Sequence, residues 1–344
     1  MNKKARADER DAKGAAVLFE SSAADAPSPR ISPRAFLRHP AMALVGAIVL
    51  LLALFTVWVP NGRFLTPANL LDLAQQISVN AIIAFGMTLV ILIGGIDLSV
   101  GAVVALVGVV TVTFLAHGLI AGLAAGLLTA AVAGLGNGLL AARTRMPPFI
   151  ITLGMMLIVR GAAFRFNEGR PLPAPASALS FFALGTARLG GWLPTPVIFM
   201  GVVFAATAVL LHRTRFGQHL YAIGGNREAA RFTGIALGRN EAAVYLLSAC
   251  CAGVAGIIQA SQLFSGEPSA GQGFELNAIA AVVVGGTSFT GGIGTIPGTL
   301  LGAIIIGILD KGLNQAGVHF SLQSIVKGIV ILGAVYVDAR RSRK

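Results

Sequence analysis

Eight uncharged hydrogen-bonding residues stand inside otherwise apolar runs: Gln75, Gln76, Asn80, Thr88, Asn137, Gln259, Gln262 and Asn277. Amides and hydroxyls of this kind can pass a neutral polyol along by exchanging hydrogen bonds, and they can equally bond a neighbouring helix. Two glycine-rich breaks carry further polar groups. The first, Gly94-Gly95-Ile96-Asp97-Leu98-Ser99-Val100-Gly101, holds an acid near membrane depth. Asp97 either caps the helix that follows or lines a cavity at a broken helix, and the two roles are compatible. The second, Gly285 to Gly294 with Thr287 and Ser288, separates two short apolar pieces. It is either part of a translocation path, where short glycine-interrupted segments occur, or a cytoplasmic turn. The candidate pathway residues are therefore Asn80, Thr88, Asp97, Ser99, Asn277, Thr287 and Ser288. Two cations within apolar runs, Arg160 and Lys327, are further candidates unless they snorkel or pair, for example with Glu168 and Asp310.

No constellation in the chain builds a catalytic centre. A G-x-x-x-x-G-K-[ST] run is missing, so the chain is not expected to bind ATP itself. H-E-x-x-H, G-x-S-x-G and an intramembrane Asp pair are missing too. The five histidines lie scattered near the ends of apolar runs without metal-ligand spacing, and Cys250 and Cys251 read as reduced core residues. The expectation is a chain that is not an enzyme and holds no metal and no cofactor.

A polar, basic stretch from Arg213 to Asn240 sits between two long apolar runs. Within it, Asn226 suits an N-cap, Glu228 the first turn and Gly234 a C′ position. A helix of about two turns, roughly 10 Å long, follows from 1.5 Å per residue and cannot span a bilayer. Ala229 and Ala230 make one side shallow enough for another protein's backbone to approach. A second helix is expected to start at Asn240, with Glu241 in its first turn. The stretch reads as a cytoplasmic lever between two membrane helices. A helix lying on the bilayer is the weaker reading, because Phe232 and Ile235 are its only large apolar anchors.

The remaining composition explains where the lever is mounted. Of 344 residues, 55% are hydrophobic and 12% charged, against about a quarter charged in soluble domains, so lipid is the main solvent. Apolar runs predict spans at about 41–59, 74–94, 98–116, 119–142, 149–165, 195–212, 242–264 and 322–338, with two shorter pieces at 275–286 and 296–310. The two short pieces read as a hairpin that only partly crosses. The fold class is an all-α polytopic membrane protein of about ten transmembrane helices, eight long and two short. Gly122/Gly126 and Gly134/Gly138 read as helix-packing surfaces.

Charge gives the orientation. Residues 1–39, the 143–148 turn, the 213–240 loop and the tail hold 19 of the 26 Lys and Arg, whereas the opposite side holds Arg63, Arg165, Arg170 and Arg188. By the positive-inside rule both termini are cytoplasmic. Residues 1–39 read as a disordered extension, not a cleaved signal peptide, and 340–344 as a basic tail. The net charge of +12 is assigned to the anionic membrane surface, since no aromatic-basic surface for nucleic acid is present. The long outer connection 166–193, with Pro171, Pro173 and Pro175, is either a partner face or a floppy connector.

Three separated motifs carry a family resemblance. The run from Gln75 through Ser78-Val79-Asn80-Ala81 and Gly86-Met87-Thr88 to Gly94-Gly95-Ile96-Asp97-Leu98-Ser99-Val100-Gly101 resembles ribose-type sugar permeases of bacterial ABC importers. So do Gly224-Gly225-Asn226-Arg227-Glu228-Ala229-Ala230 and Phe274 through Ser288, and the likeness covers about 41–339. It implies a multi-pass inner-membrane permease domain over 40–339 that works as a homodimer, for pentoses, hexoses or related polyols. It further implies ABC ATPase subunits, holding ATP-Mg, at the cytoplasmic loop and a periplasmic sugar-binding protein on the outer face. The coupling residues it implies are Gly225, Asn226, Arg227, Glu228, Ala229, Ala230, Arg231 and Gly234, with Arg227 and Arg231 pairing with acids of the ATPase. In the mechanism so implied, the spans before and after 213–240 tilt when the ATPases close. The competing reading is a secondary transporter driven by an ion gradient, with Asp97 or Lys327 as its coupling group. The segment Ser265–Gly273 is shorter than the outer segment often found in this family.

Overall fold

The structure, a computed structural model, describes residues 40–341, so the 1–39 extension and residues 342–344 of the tail lie outside the described residues. The described residues from Leu44 onward belong to one compact unit. Thirteen α-helices are described: α1 (Pro40–Trp58), α2 (Pro67–Leu92), α3 (Val100–Phe114), α4 (Leu119–Arg143), α5 (Pro148–Phe166), α6 (Leu179–Thr186), α7 (Thr195–Arg213), α8 (Arg215–Gly225), α9 (Arg227–Phe232), α10 (Leu237–Leu263), α11 (Phe274–Val284), α12 (Ile296–Gln315) and α13 (Phe320–Arg341). Eight of them are long and apolar enough to cross a membrane: α1 to α5, α7, α10 and α12, with α3 counted to His117. Proline within the first two positions of α2, α5, α7 and α12 sets the starts. At the head of a helix its missing N–H removes a donor that would be unsatisfied anyway.

The core is formed by α2, α3 and α10, while α1, α5 and α7 leave most of their side chains facing outward, toward lipid. Small residues decide how closely the inner helices approach. On α4, a Cβ added to Gly134 would stand 2.8 Å from the Tyr245 carbonyl oxygen, and one added to Gly138 would stand 2.6 Å from Ala242 Cα. A Cβ on Gly122 would meet the Thr111 carbonyl oxygen at 2.9 Å. The paired-glycine spacings on α4 therefore bring it against α10 and α3, the close backbone approach on which packing in lipid depends. Four two-residue strands occur, β1 (Leu172–Pro173), β2 (Arg188–Leu189) and β3 (Leu193–Pro194) between α5 and α7, and β4 (Ser265–Gly266) after α10. The antiparallel pair β1–β4 ties the long connection between α5 and α7 to the end of α10.

Three boundaries differ from the sequence expectation. The α2 helix starts at Pro67, ahead of the apolar run, so polar Asn69 and Asp72 become part of it. The α10 helix starts at Leu237 and not at Asn240; Ala236 is its N-cap, and the Asn240 amide donates back to the Ala236 carbonyl at 2.8 Å. Finally, α12 is a full 20-residue helix, whereas the apolar part of the last helix, Phe320–Tyr336, and α11 are the two short ones. The predicted hairpin is thus short only in its first arm. Arg340 and Arg341 close α13, with the Arg340 guanidinium 4.9 Å from the Tyr336 ring centre.

Candidate functional site

Asn80 and Asn277, far apart in sequence, line one cavity of about 390 Å³ together with Asp72, Gln75, Gln76, Gln259, Gln262 and Asp310. Four helices form its walls: α2, the last turns of α10, the first turn of α11 and the middle of α12, which contributes Ala303, Gly307 and Asp310. Counted at 1.5 Å per residue from Pro67, the α2 residues lie roughly 7–20 Å down that helix, in the half away from the basic loops. Gln75 donates to the Gly185 carbonyl at 3.0 Å. The Asn80 Oδ1 atom is buried and has no hydrogen-bond partner. Both carboxylates of the wall are neutralised by cations: Asp72 lies 3.2 Å from Arg188 and Asp310 lies 2.9 Å from Lys327. Lys327 also donates to Asn277 Oδ1 at 3.4 Å. The Lys327–Asp310 pairing expected from sequence is therefore present.

The other predicted pathway residues are not in that lining. Thr88 is buried, bonded to the Ala84 carbonyl at 2.8 Å and to Thr299 Oγ1 at 2.7 Å, and joins α2 to α12. Asp97 and Ser99 belong to a closed node. Asp97 Oδ1 accepts the Ser99 amide at 3.0 Å and the Ser99 hydroxyl at 2.6 Å, while Oδ2 accepts the Ser248 hydroxyl at 3.1 Å. Asn137 donates to Ser99 Oγ at 2.8 Å. The node fixes the α2–α3 break to α4 and α10. As for the expected cap, the carboxylate captures the amide of Ser99, the residue at the N-cap position of α3, and so acts one step ahead of the helix.

Thr287 and Ser288 are buried in the loop between α11 and α12, where the Ser288 amide donates to the Ile293 carbonyl at 2.9 Å. Arg160 does not pair with Glu168. It donates to the carbonyls of Pro268 and Ala270 at 3.0 and 2.6 Å. Those carbonyls are within reach because the Ser265–Gly273 segment folds inward along α3. There a Cβ on Gly266 would stand 2.7 Å from Val109 Cα.

The 213–240 stretch holds two helices, α8 and α9. Thr214 caps α8, accepting the Gly217 amide at 3.3 Å. Asn226 caps α9, its Oδ1 accepting the Ala229 amide at 2.9 Å. Past the end of α9, Gly234 takes φ +82°, and the Ile235 amide donates to the Ala230 carbonyl at 3.1 Å. This is the left-handed helix stop that glycine accommodates without a Cβ penalty. Gly225, Glu228, Ala229 and Arg231 are exposed, and Phe232 is 86% exposed. Two expectations change here. Ala230 is buried, so only Ala229 lies on the open side. Arg227 is paired with Glu241 of α10, which is 4% exposed, so its charge is used within the chain.

Sequence reasoning missed α8, although Gly217, Leu220 and Ile223 at helical spacing form its buried face. It also missed Tyr221, whose hydroxyl donates to the Gly294 carbonyl at 2.7 Å and whose phenol pKa burial pushes up.

Polar groups thus gather around a cavity inside an apolar bundle, with a short capped helix between two of its long helices. Residues 69–335 match the family described as "Branched-chain amino acid transport system / permease component". The chain is 46% identical over 302 residues to the ribose import permease protein RbsC of Escherichia coli (strain K12), covering 86% of this chain and 92% of that one. It is 44% identical over 284 residues to RbsC of Bacillus subtilis (strain 168), covering 82% and 88%. To the xylose transport system permease protein XylH of Escherichia coli (strain K12) it is 32% identical over 362 residues, covering 88% and 92%. No solved structure gives a significant match. The chain belongs to this permease family. It is a multi-pass inner-membrane transport subunit of an ABC importer, with ATP hydrolysis in a separate subunit, and the ion-gradient reading is set aside.

Proposed function

We propose that this subunit conducts an uncharged sugar, a pentose or hexose, across the inner membrane through the cavity between α2, α10, α11 and α12. One observation carries the reading. The carboxylates of the wall are paired with Arg188 and Lys327, while Asn80, whose Oδ1 has no partner, and Gln76, Gln259 and Gln262 stand in the lining to exchange hydrogen bonds with hydroxyls. A cavity of about 390 Å³ falls within the range of about 300–1,000 Å³ typical of small-ligand sites. The ribose and xylose permeases named above support the substrate class.

In this reading an ATPase subunit grips α9 through Gly225, Glu228, Ala229 and Arg231. Asn226 and Gly234 hold the rod's ends, Arg227 anchors it to α10, and Ala230 seats it. The permease works as a pair of copies, and a soluble sugar-binding protein delivers substrate to the outer face. ATP-Mg, bound by the ATPases, favours the state in which they close on each other. That differential binding shifts the permease between inward- and outward-open forms.

The test is Glu228→Lys in the complete importer reconstituted with its ATPase and binding protein. Glu228 is exposed in the first turn of α9, so charge reversal is expected to abolish co-purification of the ATPase and sugar uptake while the permease still inserts. Normal uptake by that variant overturns the docking role.

A further inference from the structure

The rod is fastened to more than its two flanking spans. Gly224, in the last turn of α8 and two residues before the α9 cap, packs backbone to backbone against two other segments. A methyl group built on Gly224 would overlap the Leu92 carbonyl oxygen at the end of α2 and the Gly292 amide. From the opposite side, a Cβ on Gly292 would stand 2.9 Å from Gly225 Cα, and one on Gly291 would stand 3.1 Å from Gly224 Cα. Two hydrogen bonds lock the arrangement. The Gly292 amide donates to the Leu92 carbonyl at 2.9 Å, and the Tyr221 hydroxyl donates to the Gly294 carbonyl at 2.7 Å. Gly224 is helical, so what counts there is the missing side chain. Gly291 and Gly292, at φ +86° and +74°, additionally need the left-handed region.

What this joint holds is the cavity. Leu92 ends α2, which carries Gln75, Gln76 and Asn80, and the 285–295 loop connects α11, with Asn277, to α12, with Asp310. Those elements are stiff against one another at the same end. A methyl on Gly285 would overlap the Gly298 carbonyl oxygen, one on Gly302 would overlap that of Ala281, and Thr88 bonds Thr299 at 2.7 Å. Three of the cavity's four walls therefore end on the joint. Its fourth wall, α10, follows α9 in the chain.

We infer that Gly224, Tyr221 and the Gly291-Gly292 turn are positioning residues for transport: they pass the displacement of α9 to α2, α11 and α12, and so to the cavity. The inference rests on the docking of an ATPase at α9. Close-packed backbone transmits displacement because such contacts switch between discrete arrangements and do not yield continuously. The glycine-rich 285–294 run is then neither a pathway lining nor a mere turn, but the seat of the lever.

The complete importer, with ATPase and binding protein, is reconstituted in proteoliposomes, and sugar imported per ATP hydrolysed is measured for two variants. Gly224→Ala is expected to keep ATPase co-purification and to keep hydrolysis within about twofold, while uptake falls at least tenfold. Tyr221→Phe removes one hydrogen bond without adding volume and is expected to lower the same ratio several-fold. An unchanged ratio for Gly224→Ala overturns the inference. If that variant does not fold, Tyr221→Phe decides, and an unchanged ratio there overturns it equally. Failure of the docking reading is distinguishable, because it appears as normal assembly and uptake with Glu228→Lys while the coupling ratios of the two joint variants are still read.

Discussion

Lys327 of α13 lies 2.9 Å from Asp310 of α12 and 3.4 Å from Asn277 of α11, so one cation fastens three helices at the edge of the cavity. In an apolar bundle such a charge is tolerated because it is paired, and removing one partner strands the other. Both side chains retain some exposure, which reduces the penalty below that of a fully dry pair. Lys327→Met is expected to destabilise the permease by about 2 kcal/mol. The double variant Lys327→Met with Asp310→Asn should recover most of that loss. Thermal unfolding in detergent checks both, and a single variant as stable as the parent would show that the pair contributes nothing.

Asn80 presents a buried amide oxygen without a partner to the cavity. If sugar hydroxyls supply the missing donor, Asn80→Leu removes a hydrogen bond worth about 1 kcal/mol, or about fivefold in uptake efficiency. Basal ATP hydrolysis should be untouched, because α9 lies at the other end of the bundle from the Pro67 end of α2. Uptake measured over a range of sugar concentrations gives the answer. Equal efficiency for Asn80→Leu and the parent removes Asn80 from the path.

The long spans and the capped rod were legible because both rest on local rules: apolar length for the spans, and Asn226, Glu228 and Gly234 at cap positions for α9. What was not legible is which polar residues converge. Asn80, Thr88 and Asp97 share one sequence motif, yet only Asn80 faces the cavity, while Thr88 turns to α12 and Asp97 to α10. Helical phase alone does not say which neighbour each face meets. The starts of α2 and α10 were placed late because both helices extend beyond the apolar run into polar surroundings, where hydropathy gives no signal. Arg227 was misassigned for a related reason. Its partner Glu241 was placed in the first turn of a helix starting at Asn240, with no neighbour assigned, whereas α10 starts at Leu237 and Glu241 is buried against Arg227.

The Asn226 side chain satisfies the Ala229 amide at 2.9 Å, and α9 is only six residues long, so its ends govern its stability. Replacing an N-cap Asn with Ala costs about 1 kcal/mol, whereas Asp supplies the same acceptor. Asn226→Ala should therefore weaken binding of the ATPase subunit about fivefold, and Asn226→Asp should leave it near the parent value. Titration of purified ATPase onto permease in nanodiscs measures both. Matching affinities for the Ala and parent proteins would mean that the rod is held by its partner and not by its cap.

The approach of α4 to α10 sets the position of Glu241, and through it Arg227 and the rod. A Cβ on Gly138 would stand 2.6 Å from Ala242 Cα, next in sequence to Glu241, with backbone on the far side that cannot swing away. Overpacking of this kind typically costs about 1–3 kcal/mol. Gly138→Val is therefore expected to lower the unfolding temperature and the yield of folded permease. The folded fraction should also bind its ATPase less well, because α10 has been pushed outward. Gly154→Ala on α5 is the control, since nothing lies within 4 Å of its added Cβ, and it should behave as the parent does. Circular dichroism melts and ATPase co-purification compare the two; a Gly138→Val protein with unchanged melting would mean that the helices separate freely at this crossing.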